Sequence, residues 1–129
     1  MSKTALQTTL EERESYRVGE AVERIQLAGK EAATARWQLA HRVACHAAYL
    51  LKQEFSARRV VVFGSAARPE TFTPWSDVDL AVWGVPPERF YAAVAAVSET
   101  SAEIGVDVVD AEQCSANLKA AIEGGCVDV

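Results

Sequence analysis

Asp77 and Asp79 are separated by a single residue in the run Ser76-Asp77-Val78-Asp79-Leu80. On an extended segment that spacing projects both carboxylates from one face and sends Val78 and Leu80 to the other, towards a core. Two carboxylates side by side repel, and one tends to hold a proton unless something compensates. A hard divalent cation such as Mg2+ removes the conflict, because it prefers oxygen ligands and retains waters and phosphate oxygens. A third carboxylate stands in Val106-Asp107-Val108-Val109-Asp110. There the core-facing parity belongs to Val106 and Val108, so Asp107 faces with the first pair if the two strands are neighbours. Asp110 has the opposite parity and sits at the strand end.

Upstream, Gly64-Ser65 follows an apolar run and precedes a short helical turn, Ala66-Ala67-Arg68. Glycine lets the backbone approach a phosphate closely, and the N–H groups of a helix start, with the serine hydroxyl, bind phosphate oxygens. Arg68 is within reach of the same phosphates or of an aspartate. Two metal ligands, a third carboxylate and a phosphate cradle are the parts of metal-assisted phosphoryl transfer.

The elements that must position these residues change character at Arg59. From Ala5 to Phe55 there is no proline, and Ala, Leu, Glu, Gln, Arg and Lys dominate, which is helix composition. Apolar residues recur at spacings of three and four, and Gly19 and Gly29 weaken the run, so the reading is two helices with a break near Gly29. Ala32–Leu51 is apolar over much of its circumference and should pack on the rest of the domain or on a partner. Val60-Val61-Val62-Phe63 reads as a strand buried on both faces. Asp77–Val82 alternates as a half-buried strand. Pro86-Pro87 opens a helix carrying Phe90, Val94 and Val97 on one face. Ile104–Val109 reads as a third strand, and Ala116–Glu123 as a helix stopped by Gly124-Gly125. The expected class is therefore α/β (α+β), a small mixed sheet with flanking helices, with residues 1–56 as an N-terminal helical arm and 57–129 as the domain that carries the chemistry.

Composition narrows the classes. The 129 residues suffice for one compact domain with an appended helical segment, and half of them are hydrophobic. No stretch is apolar for long enough to span a bilayer, and the N-terminus lacks the pattern of a signal peptide, so the expected compartment is the cytoplasm. Up to Ser56, eight Lys/Arg nearly cancel seven Asp/Glu, but from Ala57 five face eleven. An acidic half without a basic stripe speaks against direct nucleic-acid binding. Cys45, Cys114 and Cys126 have no short pairwise spacing and read as reduced structural thiols.

Phe63-Gly64-Ser65-Ala66-Ala67-Arg68, then Ser76-Asp77-Val78-Asp79-Leu80, then Val106-Asp107-Val108-Val109 resemble the polymerase-β-type nucleotidyltransferase superfamily, and more narrowly the minimal nucleotidyltransferase (MNT) antitoxins. The resemblance runs from about Arg59 onward. It implies that Gly64 and Ser65 hold the triphosphate of an NTP, ATP by association with the family, with Arg68 and Ser76 counted among the nucleotide-binding residues. It implies Asp77, Asp79 and Asp107 as catalytic residues and Mg2+ ligands, with Asp107 helping to activate the acceptor hydroxyl. MNT proteins pair with HEPN-domain toxins, which are RNases, so the implied reaction is AMP transfer onto a toxin partner. One departure stands out: eleven residues separate Ser65 from Asp77, one more than usual, with Pro69 where glycine is common. Two alternatives share the motif. One is an antitoxin that only binds its toxin; the other is an antibiotic-type nucleotidyltransferase, which usually carries a further substrate domain.

Plainer readings accompany several residues. The aspartates are also compatible with a solvated strand face, and Ser65 with a helix cap. His41, Cys45 and His46 are close on a helix but offer no fourth metal ligand, which favours packing. Trp75 and Trp83 flank the second strand. Core or rim packing is the ordinary use of such residues, and stacking on a nucleobase is the alternative for Trp75. Glu11–Arg24 reads as a solvated helix face with ion pairs.

Overall fold

The structure is a computed structural model that describes the backbone from Ala5 and side chains from Val18 to Val129. The chain divides into two units, Met1–Ala33 and Thr34–Val129. Within the described residues the first unit is helix throughout, belonging to α1 (Ala5–Glu54). The expected break near Gly29 is absent: α1 runs on through both Gly19 and Gly29. A glycine costs a helix only about 1 kcal/mol relative to alanine, and the proline-free neighbours are strong helix formers. The Glu11–Arg24 surface lies outside the described side chains up to Arg17. Beyond that point Arg24 faces Glu20 one turn away at 3.8 Å, both well exposed.

In the second unit, the end of α1 presents Ala40, Val43, Ala44, Ala47, Ala48 and Leu51 to the core. The helix stops where Ser56 takes φ 64° and Ala57 donates its N–H back to Leu51 O. The chain then enters β1 (Arg59–Phe63), a turn of 3-10 helix (Gly64–Ala67), β2 (Val78–Trp83), α2 (Pro87–Ser98), β3 (Val106–Asp110), α3 (Ala116–Glu123) and β4 (Cys126–Asp128). The sheet order is β3-β2-β1-β4. β1 is antiparallel to β2 and to β4, whereas β2 and β3 are parallel, so the sheet is mixed as expected.

Strand alternation assigns each face its partner. Val60, Val62, Val78, Leu80, Val82 and Val106 pack with α1 and with Ala93 and Val97 of α2. Val61, Phe63 and Ala81 point the other way and pack with Ala111 and with Ile122 of α3. Because Ala81 is buried as well, β2 is covered on both sides beyond its first turn. Two boundaries differ from the sequence reading. Asp77 immediately precedes β2, and β3 begins at Val106, leaving Ile104 buried outside the strand. β4 was not expected; its three residues follow the glycines that stop α3 and are held by pairing with β1 and by Arg59–Asp128 at 2.9 Å. No described helix is long and apolar enough to cross a membrane.

Candidate active site

The parallel register of β2 and β3 puts Asp79 directly beside Asp107, and the antiparallel register of β1 puts Phe63 on the other side of Asp79. Gly64, the next residue, therefore arrives at the same carboxylate. A Cβ on Gly64 would lie 2.8 Å from Asp79 Oδ2, and Gly64 also takes φ +71°, a left-handed conformation open to glycine. Asp77 comes from the residue before β2. It rests against Gly105, where a Cβ would lie 3.1 Å from the carboxylate carbon. Val78 N–H donates to Gly105 O at 2.9 Å and fixes that approach.

Asp79 is half-buried, whereas Asp77 and Asp107 are exposed. Partial burial pushes the Asp79 carboxyl above its ordinary range, and the charges of Asp107 and then Asp77 push it further. The charges of Asp107, from the neighbouring strand, and of Asp77, from the residue before β2, thus both bear on Asp79. Among the described residues, no group of three or more His, Cys, Asp or Glu side chains is placed to hold a metal ion. The donor chemistry suits a hard divalent cation that shares its coordination sphere with water and phosphate oxygens, which is how Mg2+ usually binds. The absence of a side chain at Gly64 lets the Asp79 carboxylate lie directly against the turn after β1.

The turn after β1 has its own bracing. Thr71 Oγ1 donates to Ser65 O at 2.8 Å and lies 3.2 Å from Arg68 O. A cleft of 390 Å3 opens beside it, lined by Gly64, Ser65, Arg68 and Thr71 on one side and by Gly124 and Gly125 after α3 on the other. Arg68 reaches across this cleft, so that a Cβ on Gly125 would lie 3.3 Å from its Nη2. Gly64, Ser65 and Arg68 therefore share one concavity. Ser76 does not join them: its hydroxyl accepts from Thr73 N–H at 3.0 Å and pairs with Thr73 Oγ1 at 2.9 Å, closing the loop that leads to Asp77. Arg36 of α1 extends towards Ser76 O at 3.5 Å. Thr71, Gly105 and Arg36 were missed in the sequence. Only Gly105, a glycine inside the segment read as the third strand, carried any signal there.

Trp75 departs from the packing expected of it, with 87% of its surface exposed. Its backbone N–H donates to Thr73 Oγ1 at 3.3 Å, within the same braced loop. Trp83 does pack: the Arg59 guanidinium lies 4.7 Å above its ring. His41 stacks on Trp37 with ring centroids 5.6 Å apart and lies 3.7 Å from Cys45 Sγ.

Comparison with known proteins adds three findings. The model of the family described as "Nucleotidyltransferase domain" matches residues 48–123. Curated protein sequences give no significant match. Among solved structures, the chain is similar to one described as "Crystal structure of the toxin-antitoxin with AMP-PNP", at 19% identity and a TM-score of 0.51. That likeness is one of fold; it covers 62% of this chain and 66% of the other, just under two thirds of that chain's length.

Proposed function

The chain belongs to the nucleotidyltransferase domain family, and from that premise we propose that it transfers a nucleoside monophosphate, AMP from ATP, onto a hydroxyl of a protein partner. The observation that carries this reading is the register that sets Asp79 beside Asp107 with Gly64 against the same carboxylate. Simple binding has no need of three aspartates gathered so that the charges of two bear on the third. Asp77, Asp79 and Asp107 would hold Mg2+, which when bound neutralises the triphosphate and the charge that develops on it. Gly64 and Ser65 present backbone and hydroxyl to the phosphates, and Arg68 lines the same cleft. Asp107, exposed on β3, accepts the proton of the acceptor hydroxyl as that oxygen bonds to the α-phosphorus and pyrophosphate leaves. Residues 57–129 form the catalytic domain in this reading, and residues 1–56 the helical arm.

The partner we propose is a HEPN-type toxin, neutralised by the modification. A chain of similar fold solved in a toxin-antitoxin with AMP-PNP supports both the donor and the class of partner. The open character of the site supports a macromolecular acceptor, because two of the three aspartates face solvent. The test is to purify the chain with its partner, incubate with ATP and Mg2+, and weigh both chains intact. AMP-sized increments on the partner that vanish in Asp77→Asn or Asp79→Asn are the expected result. A stable complex with no mass change under any NTP leaves a binding antitoxin instead.

A further inference from the structure

Residues 18–33 of α1, all within the first unit, gather their charges on one side of the helix, where Leu27, 58% exposed, is the one large apolar residue among them. At roughly 100° per residue, Glu20, Glu23, Arg24, Lys30 and Glu31 fall within an arc of about 120°, and the remaining circumference carries no charge. Val18, Val22 and Ile25 run along the middle of the uncharged side at spacings of four and three, and Gly29 and Ala32 continue the line. The three larger residues are 64%, 46% and 72% exposed. Around Gly19 and Gly29 there is open space, since a Cβ at either would meet nothing within 4 Å. A helix that includes two glycines and rests on propensity alone is marginal in water, and most helices gain their stability by covering an apolar face.

The order of sizes along the seam selects what covers it. Large side chains occupy its first half and small ones its second. A second copy running antiparallel seats Val18 and Val22 over Ala32 and Gly29, with Ile25 near the two-fold axis. A parallel copy sets valine on valine and leaves voids at glycine on glycine, which close-packed interfaces avoid. The flanking residues Ala21, Gln26, Ala28 and Ala33 are neutral, so no like charges oppose self-association. We propose that this chain pairs with a second copy of itself through an antiparallel contact between the Val18–Ala33 faces of their α1 helices. The proposal is independent of the transferase reading.

Sedimentation equilibrium of the full chain tests it, with a mass of twice 14.0 kDa expected. Gly29→Leu separates pairing from folding, because leucine raises helix propensity while blocking the seam. It should give a monomer whose helical circular dichroism is undiminished, whereas Glu23→Ala on the charged arc stays dimeric. With Cys45 replaced by serine, a chain carrying Val18→Cys mixed with one carrying Ala32→Cys should oxidise to the mixed disulfide. A wild-type monomer, a dimer indifferent to Gly29→Leu, or preferential Val18→Cys self-crosslinking would each overturn the proposal.

Discussion

Gly64 follows β1 so closely against Asp79 that a Cβ added to it would lie 2.8 Å from Asp79 Oδ2. The strand register that pairs Phe63 with Asp79 forces this approach, so the turn after β1 and the Asp79 carboxylate are two ends of one backbone constraint. The site is thus specified by sheet pairing more than by the side chains of any one loop.

Gly64→Ala should damage activity more than stability. An L-residue held near φ +71° costs about 1–2 kcal/mol. The atom it strikes is the far end of a side chain, so the Asp79 carboxylate shifts while the backbone stays. The expected result is a melting temperature lower by roughly 3–10 °C, with nucleotide transfer reduced far beyond what the unfolded fraction explains. Differential scanning calorimetry beside a transfer assay on the same sample checks it. An alanine variant with full activity would mean that the space next to Asp79 is not used.

Asp79→Asn should separate stability from catalysis in the opposite sense. Burial and the charges of Asp107 and Asp77 raise the Asp79 carboxyl, so the folded chain takes up this proton at higher pH than the unfolded chain does. The contribution of Asp79 to stability therefore improves as pH falls through its raised range and levels off below the ordinary carboxylate range; above both it is unfavourable. In chelator at neutral pH the asparagine variant is expected to melt at or above the wild type, and its stability should gain less on acidification. Added Mg2+ should raise the melting temperature of the wild type alone. Transfer should fall by about 100-fold or more, the scale of losing one group that stabilises charge in the transition state. A variant less stable than wild type in chelator would show that the three carboxylates do not repel as placed.

Much of this was legible in the sequence because strand periodicity is rigid. The parity of Asp77, Asp79 and Asp107 against Val78, Leu80, Val106 and Val108 follows from a period of two, and the parallel pairing of β2 with β3 turned parity into proximity. The mixed sheet and its flanking helices followed from the same alternation. What escaped depended on contacts between distant segments. β4 is three residues long and is a strand only because Val62 and Phe63 pair with Val127 and Cys126. The continuity of α1 through Gly29 escaped because a propensity cost near 1 kcal/mol per glycine was given the weight of a break. Ser76 shares a motif with Asp77, and the pairing of its hydroxyl with Thr73 is a local closure invisible in the order of residues.

Trp75→Ala should leave the fold intact and weaken transfer to the partner. A side chain 87% exposed contributes little to folding, so the melting temperature should stay within the small range of ordinary surface substitutions. The loop that presents it is closed by Thr73 and Ser76, which fixes the backbone carrying an uncovered indole two residues from Asp77. Exposed tryptophans fixed in this way are strong anchors when a surface is covered. Steady-state kinetics with the partner as acceptor should show the loss, and Trp75→Phe should restore part of it. Unchanged kinetics in the alanine variant would assign Trp75 no role in either substrate.

Ser115→Ala should do the reverse, lowering stability while sparing the chemistry. Ser115 caps α3 by accepting the Leu118 N–H at 3.2 Å, and removing such a cap costs about 0.5–2 kcal/mol. α3 sets Ile122 into the cluster with Val61, Phe63 and Ala81, on the sheet face that carries Asp79 and Asp107 further along. The helix thus supports the sheet from the site's own side without supplying a side chain to the three carboxylates. Thermal denaturation should shift downward by a few degrees, while transfer measured well below the transition keeps its rate. If the rate instead falls together with stability, α3 and the Gly124-Gly125 wall behind it take part in shaping the cleft that Arg68 crosses.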